Sequence, residues 1–305
     1  MSHHHHDHSH DFELNSSTSK RMFITMAMNF IITITEIIGG ILSGSLSLIS
    51  DALHNLTDGI AIIVSYTALK LRNVKNSPKH TFGLKRAEIF AAVINSTVLF
   101  FISIFLFYEA IHRFILPEPI KGKLMIIVAS VGLIANVTGT LLLRKDAHKS
   151  INIRSAYLHL LIDALSSVTV IIGGILITLF DILWIDPVLT IIIALYVLKE
   201  SLGILKESSH ILLEGAPPEI DLKTIQQKVE ELPEVCDIHH IHIWKIGEKD
   251  IHFEAHINSL DILISETVKV QHKIEHILEE IGIKHVTLQF ECNVCANKNL
   301  INERE

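Results

Sequence analysis

The stretch "SDALHNLTDG", Ser50–Gly59, decides how the rest of the chain is read. It lies inside an apolar run long enough to cross a bilayer, yet it carries two aspartates and a histidine. A second apolar run repeats the oddity. "AYLHLLIDALSS", Ala156–Ser167, sets His159 four residues before Asp163, just as His54 stands four before Asp58. Side chains four apart share one helix face, one turn apart. Two such helices offer two imidazole nitrogens and two carboxylate oxygens, a donor set that suits tetrahedral Zn²⁺. Two aspartates also neutralise one divalent cation. Empty, they would be unpaired buried anions, so protons are the natural replacement. Imidazole titrates near neutral pH, and metal binding displaces ligand protons. The pattern therefore implies metal exchanged for protons.

The composition agrees. The 305 residues are 49% hydrophobic but only 6% aromatic, so the apolar excess is mainly Ile, Leu, Val and Ala. The mean hydropathy of +0.42 is too high for an ordinary soluble domain. A net charge of -7 argues against a nucleic-acid partner. Three cysteines make no disulfide framework, whereas 20 histidines point to transition-metal chemistry.

Runs of about 20 apolar residues predict six membrane spans: Met22–Leu42, Ser47–Leu69, Ile89–Ala110, Leu124–Leu143, Ala156–Phe180 and Ile182–Lys199. Lys and Arg crowd the second and fourth connections, precede the first span and follow the last. That bias puts both termini in the cytoplasm. The polar start, residues 1–20 with its run "HHHHDHSH", reads as a disordered metal-scavenging tail without a signal peptide.

Past residue 208 charges become frequent, and "EGAPPE" marks a break. Helical periodicity follows at Leu222, Ile225, Val229 and Leu232, then strand alternation in "IHHIHIWKI" and "DIHFEAHI". An amphipathic helix in "SETVKVQHKIEHILEEIG" and a strand in "HVTLQFE" close the pattern. The chain thus divides into a tail (1–20), a six-helix membrane domain (21–207), an α+β domain (208–291) and a second tail (292–305). Alternation puts His240 and His242 on one face of their strand with His239 on the other, and groups His252, Glu254 and His256.

Ionisable groups within spans default to function. Besides the two His/Asp pairs these are Glu36, Asp51 and Asp186. Asp51 shares a face with His54 and reads as a supporting acceptor or an entry-path group. Glu36 stands alone in the first span, where pairing with a polar neighbour is the reading beside a transport role, and Asp186 lies near the outer interface. "ECNVCAN" supplies Cys292-x-x-Cys295, half of a zinc site that needs two more ligands. Cys236 reads as structural, and His272 and His276 as exposed helical histidines.

These passages together resemble the cation diffusion facilitator family of zinc transporters. "SGSLSLISDALHNLTD", "HTFGLKRAEIFAA" and "YLHLLIDALSSV" look like its second-, third- and fifth-span signatures, and "IHHIHIW" and "HVTLQFE" like its cytoplasmic domain. The resemblance implies six membrane helices, a ferredoxin-like cytoplasmic domain and a homodimer working by alternating access in the cytoplasmic membrane. It implies transport ligands at His54, Asp58, His159 and Asp163, with His54 favouring zinc and leaving cadmium or cobalt as minor substrates. Regulatory zinc is implied at His239, His256 and Glu291. His80 matches one ligand of a further loop site, but its partner histidine is replaced by Leu84, and His80 reads as a surface residue. Arg86 matches a basic position for which Glu214 is the candidate partner. Zinc is then both substrate and regulator, the other partners are protons and lipid, and no organic cofactor is expected. Two rival readings are an intramembrane metalloenzyme and a membrane metal sensor. The first lacks His-Glu-x-x-His and Gly-x-Ser-x-Gly motifs, and the second lacks a signalling module.

Overall fold

The computed structural model describes residues 16–144, 151–247, 250–295 and 299–301. The run His3–His10 and the basic residues Lys145 and Lys149 lie outside them. Six long helices come first: α1 (Ser16–Ser43), α2 (Leu46–Arg72), α3 (Ala87–Ile115), α4 (Gly122–Arg144), α5 (Ile151–Phe180) and α6 (Ile185–Leu212). Among the described residues, four of them, α3 to α6, are long and apolar enough to cross a membrane, and α1 adds the shorter apolar stretch Ala27–Ser43. After these come α7 (Leu222–Glu230), β1 (Val235–Lys245), β2 (Ile251–Ser259), α8 (Ile264–Glu280) and β3 (His285–Glu291). The order helix, strand, strand, helix, strand is the one the periodicities predict.

Among the described residues the chain forms two compact units, one within Met1–Ile60 and Val98–Glu200, the other within Ala61–Thr97 and Ser201–Glu305. In the first, α4 packs chiefly on α5 and then on α1. Small residues permit this close approach. A Cβ on Gly122 would stand 2.8 Å from the Gly174 carbonyl oxygen of α5. Leu48, Met125, Val128, Ala129, Val170 and Ile177 form the core there. Phe101, Phe105, Tyr108 and Ile134 stay exposed. Outward apolar faces of this kind suit a lipid solvent.

The start of α2 is fixed by a carboxylate from the first turn of α6. Asp186 is fully buried. It accepts hydrogen bonds from the Leu46 and Ser47 amides (2.7 and 3.2 Å) and from the Ser45 and Ser47 hydroxyls (2.7 and 2.5 Å). A helix N-terminus has unpaired N–H groups and a positive dipole end, and Asp186 answers both. It is therefore a sealed helix cap.

In the second unit the sheet order is β1-β2-β3, with β1 antiparallel and β2 parallel to β3. Ile225 and Val229 of α7 and Val270, Ile274 and Leu278 of α8 bury against Ile238, Phe253, Ala255 and Ile257 of the sheet. Alternation along β2 sends Phe253, Ala255 and Ile257 into this core and leaves His252, Glu254 and His256 for the other face. A β-bulge interrupts β1, whose register shifts between His239 and His242. His240 there takes a left-handed backbone, φ 50°. Asp221 caps α7 by accepting from the Lys223 amide at 3.2 Å.

Candidate metal sites

In the helical unit, α2 and α5 bring the two His/Asp pairs together. Asp58 Oδ2 lies 3.6 Å from His54 Nε2 and 3.4 Å from His159 Nε2. Asp163 Oδ2 lies 3.5 Å from the same His159 nitrogen. One donor atom each of His54, Asp58 and His159 falls within 4.8 Å of the others. The imidazole rings meet edge-on, 6.0 Å between centroids. All four residues singled out in the sequence are thus assembled. They differ in exposure: the His159 side chain is 35% accessible and Asp163 only 3%. The cluster is open on its histidine side and sealed behind Asp163.

Its surroundings are polar but sparsely bonded. Asp163 Oδ2 and His54 Nδ1 are buried without a hydrogen bond among the described residues. Asp51 accepts from the Ser166 hydroxyl at 2.8 Å. It links α2 to α5 beside the cluster. Glu36 is buried and accepts from its polar neighbour Asn55 through Nδ2 at 3.4 Å, while its other oxygen has no hydrogen bond among the described residues. Gly132 leaves it room, since a Cβ there would meet Glu36 Oε1 at 2.5 Å.

The second cluster is built on the sheet. His239 of β1 and His256 of β2 are register partners, and Glu291 ends β3. Glu291 Oε1 lies 3.0 Å from His239 Nε2, and Oε2 lies 3.3 Å from His256 Nδ1. The three candidates are therefore in mutual reach. Cys295 joins them, with Sγ 3.2 Å from Glu291 Oε2 and 3.5 Å from His256 Nδ1. Burial raises the Glu291 carboxyl, but the Cys295 thiol, His239 and His256 outweigh this and hold it below the usual carboxylate range. That carboxylate in turn pushes the Cys295 thiol up, as does burial.

Two expectations are corrected here. Strand alternation separates His239 from His240, but their rings lie 4.9 Å apart, and His240 is also 4.9 Å from His256. The bulge is the cause, because the left-handed residue rotates two consecutive side chains toward one side. Cys236 is not structural but exposed, as is Cys292, whereas Cys295 is half-buried, so the two cysteines of Cys-x-x-Cys differ in exposure. Asp237 escaped the sequence reading, although its i, i+2 spacing from His239 was a usable signal. The bulge itself has no such signature.

Elsewhere the readings hold. His272 and His276 are exposed and lie near Glu275 and Glu280. Arg86 Nη2 donates to Glu214 Oε1 at 2.8 Å. His80 is exposed, with its backbone in a turn against Ser77.

Comparison with known proteins places these clusters in context. Residues 22–213 match the cation efflux transmembrane domain, and residues 217–292 match the cytoplasmic domain of cation efflux proteins. The chain is 38% identical to the zinc transporter ZitB of Yersinia pestis, covering 92% of this chain and 90% of that protein. It is 39% identical to the cadmium, cobalt and zinc/H(+)-K(+) antiporter of Bacillus subtilis, over 93% of both. It is 34% identical to the cation efflux system protein CzcD of an Alcaligenes species, covering 89% of this chain and 86% of that protein.

Proposed function

The chain belongs to the cation efflux family, and we propose that it exports zinc across the cytoplasmic membrane in exchange for protons. It is a transporter and not an enzyme, which sets aside the metalloenzyme reading. The observation that carries the proposal is the shared approach of the His54, His159 and Asp58 donors, 3.4 to 3.6 Å apart, with Asp163 directly behind.

Two carboxylates and two imidazoles give Zn²⁺ a near-neutral tetrahedral shell in low dielectric. Two nitrogen donors favour zinc over harder cations, and cadmium and cobalt follow as lesser substrates. The donors take up metal as they give up their protons. On a more acidic far side protons compete for the same lone pairs and expel it. No organic cofactor is needed for this exchange.

The wider arrangement is part of the same proposal. Six membrane helices place both termini in the cytoplasm. The helix–strand–strand–helix–strand domain is a ferredoxin-like unit on the cytoplasmic side, and two chains work as a homodimer. Zinc at His239, His256 and Glu291 raises transport when cytoplasmic zinc is high. The donors fit a metal there, because His239 Nδ1–H donates to Asp237 Oδ1 at 2.7 Å and leaves Nε2 free to ligate.

The test is zinc accumulation in inside-out vesicles from cells lacking their own zinc exporters. Accumulation should follow an imposed pH gradient, acid inside, and collapse with an ionophore. Uptake indifferent to the gradient would remove proton exchange from the proposal, and no uptake would remove zinc export.

A further inference from the structure

We propose that Cys295 is a thiolate ligand of the sheet-borne metal site, which closes as a tetrahedron of His239, His256, Glu291 and Cys295 within one subunit. This rests on the reading that the site binds metal, and adds to it a donor of a different chemical class.

The first argument is an unsatisfied contact. His239 is fully buried. Its Nδ1–H is committed to Asp237, so Nε2 presents a lone pair. That lone pair faces Glu291 Oε1 at 3.0 Å and makes no hydrogen bond among the described residues. Two acceptors held this close in a buried place call for a proton or a metal ion between them, and the His256 and Cys295 donors beside them favour the metal.

Distance supplies the second argument. A tetrahedral zinc with Zn–N of about 2.0–2.1 Å and Zn–S of about 2.3 Å has N···O edges near 3.3 Å and N···S edges near 3.6 Å. His256 Nδ1 lies 3.3 Å from Glu291 Oε2 and 3.5 Å from Cys295 Sγ. These two separations match the edges of such a polyhedron, and Glu291 closes toward His239 through its other oxygen, Oε1, at 3.0 Å. Among the described residues, donor atoms of His239, His240, His256 and Cys295 all lie within 4.8 Å of one another. His240 flanks the site with an Nε2 that has no hydrogen bond among the described residues.

The third is charge. Glu291 and a Cys295 thiolate together neutralise one divalent cation, as the two aspartates do in the helical cluster. Without the thiolate the sheet site keeps a net positive charge when loaded. A thiolate also biases it toward zinc and cadmium over manganese or magnesium.

The backbone aims Cys295 into place. Directly after β3, Asn293 takes a left-handed conformation, φ 54°. Its amide donates to Asn258 Oδ1 at 2.9 Å. Asn258 Nδ2 donates to Asp237 Oδ2 at 2.7 Å. One Asp237–Asn258–Asn293 chain thus positions both His239 and the turn that carries Cys295. Further on, the Asn299 and Leu300 carbonyls accept from the His240 and Ile241 amides at 3.2 and 2.8 Å and tie the returning chain to the bulge. Cys292, three residues earlier, remains exposed.

The experiment uses the full chain in detergent with Zn²⁺ or Co²⁺ as the only probe. Zinc should slow alkylation of Cys295 at least tenfold, read by mass spectrometry at each cysteine, and change Cys292 and Cys236 less than twofold. The cobalt form should show a near-ultraviolet sulfur-to-cobalt charge-transfer band that Cys295→Ser abolishes and Cys292→Ser keeps. Visible cobalt absorption that depends on His239, without the charge-transfer band, would overturn the thiolate and leave the metal site standing. Absence of any His239-dependent cobalt absorption would overturn both. A band lost with Cys292→Ser and kept with Cys295→Ser would assign the wrong sulfur.

Discussion

The helical cluster and the sheet cluster both gather histidines and carboxylates, yet they hold them in opposite ways. In the sheet, His239 is oriented by a 2.7 Å bond to Asp237, which is itself anchored by Asn258. In the helices, His54 Nδ1 has no such partner among the described residues, and the His–Asp separations are 3.4 to 3.6 Å. A ligand fixed by its neighbours binds metal tightly, and loss of such support typically weakens affinity about 10–100-fold. A transported ion must also leave. The loosely supported set suits passage, and the supported set suits sensing.

The largest expected effect breaks the helical side of this contrast alone. Asp58→Ala removes the oxygen nearest both histidines and should lower initial zinc uptake by at least about 100-fold. Zinc protection of Cys295 should be unchanged in the same protein. Loss of both signals together would mean that the clusters are not independent.

On the sheet side, the contrast sharpens with pH. Burial, with His285 and Lys85 adding to it and Asp250 opposing, lowers His252 to about 4. His252 stacks on Trp244 with ring centroids 5.7 Å apart and lies 4.2 Å from the His285 ring. The unfolded chain takes its proton first, near pH 6.5, so stability is fully present above that value. It is lost as pH falls from about 6.5 through 4, by up to about 3 kcal/mol. His252→Gln should flatten this decline when unfolding is followed by Trp244 fluorescence in a Trp184→Phe background. An unchanged pH slope would place the acid sensitivity elsewhere.

A smaller effect tests what keeps α2 in place. Asp186→Asn weakens a four-donor cap at the helix that carries His54 and Asp58, and should cost about 2 kcal/mol. The thermal midpoint of the detergent-solubilised protein should fall by several degrees. No change would mean that backbone packing alone sets the start of α2.

The smallest concerns Arg86 and Glu214, a pair whose side chains are 35% and 61% accessible. Exposed ion pairs contribute roughly 0–1 kcal/mol. Arg86→Ala should leave the thermal midpoint nearly unmoved, and a loss above about 2 kcal/mol would show the pair acting as more than a surface contact.

The same contrast explains what the sequence made legible. The helical site was readable because its spacing of four is a property of the α-helix itself, so His54/Asp58 and His159/Asp163 announce a shared face. The sheet donors were reachable only in part. His239, His256 and Glu291 came from family resemblance, whereas strand periodicity misplaced His240 because one inserted residue at the bulge shifts every later side chain. Cys295 depends on the left-handed turn at Asn293, and the burial of Asp186 on a contact across about 140 positions. Local periodicity carries neither.

Paired zinc and proton fluxes in sealed proteoliposomes test the exchange most directly, with the wild type compared with a folded Asp163→Ala protein. Antiport at the His54–Asp58–His159–Asp163 cluster predicts zinc accumulation with matching proton movement in the wild type, and neither in the variant. Equal zinc and proton fluxes in both proteins would contradict it and show that zinc crosses by another route.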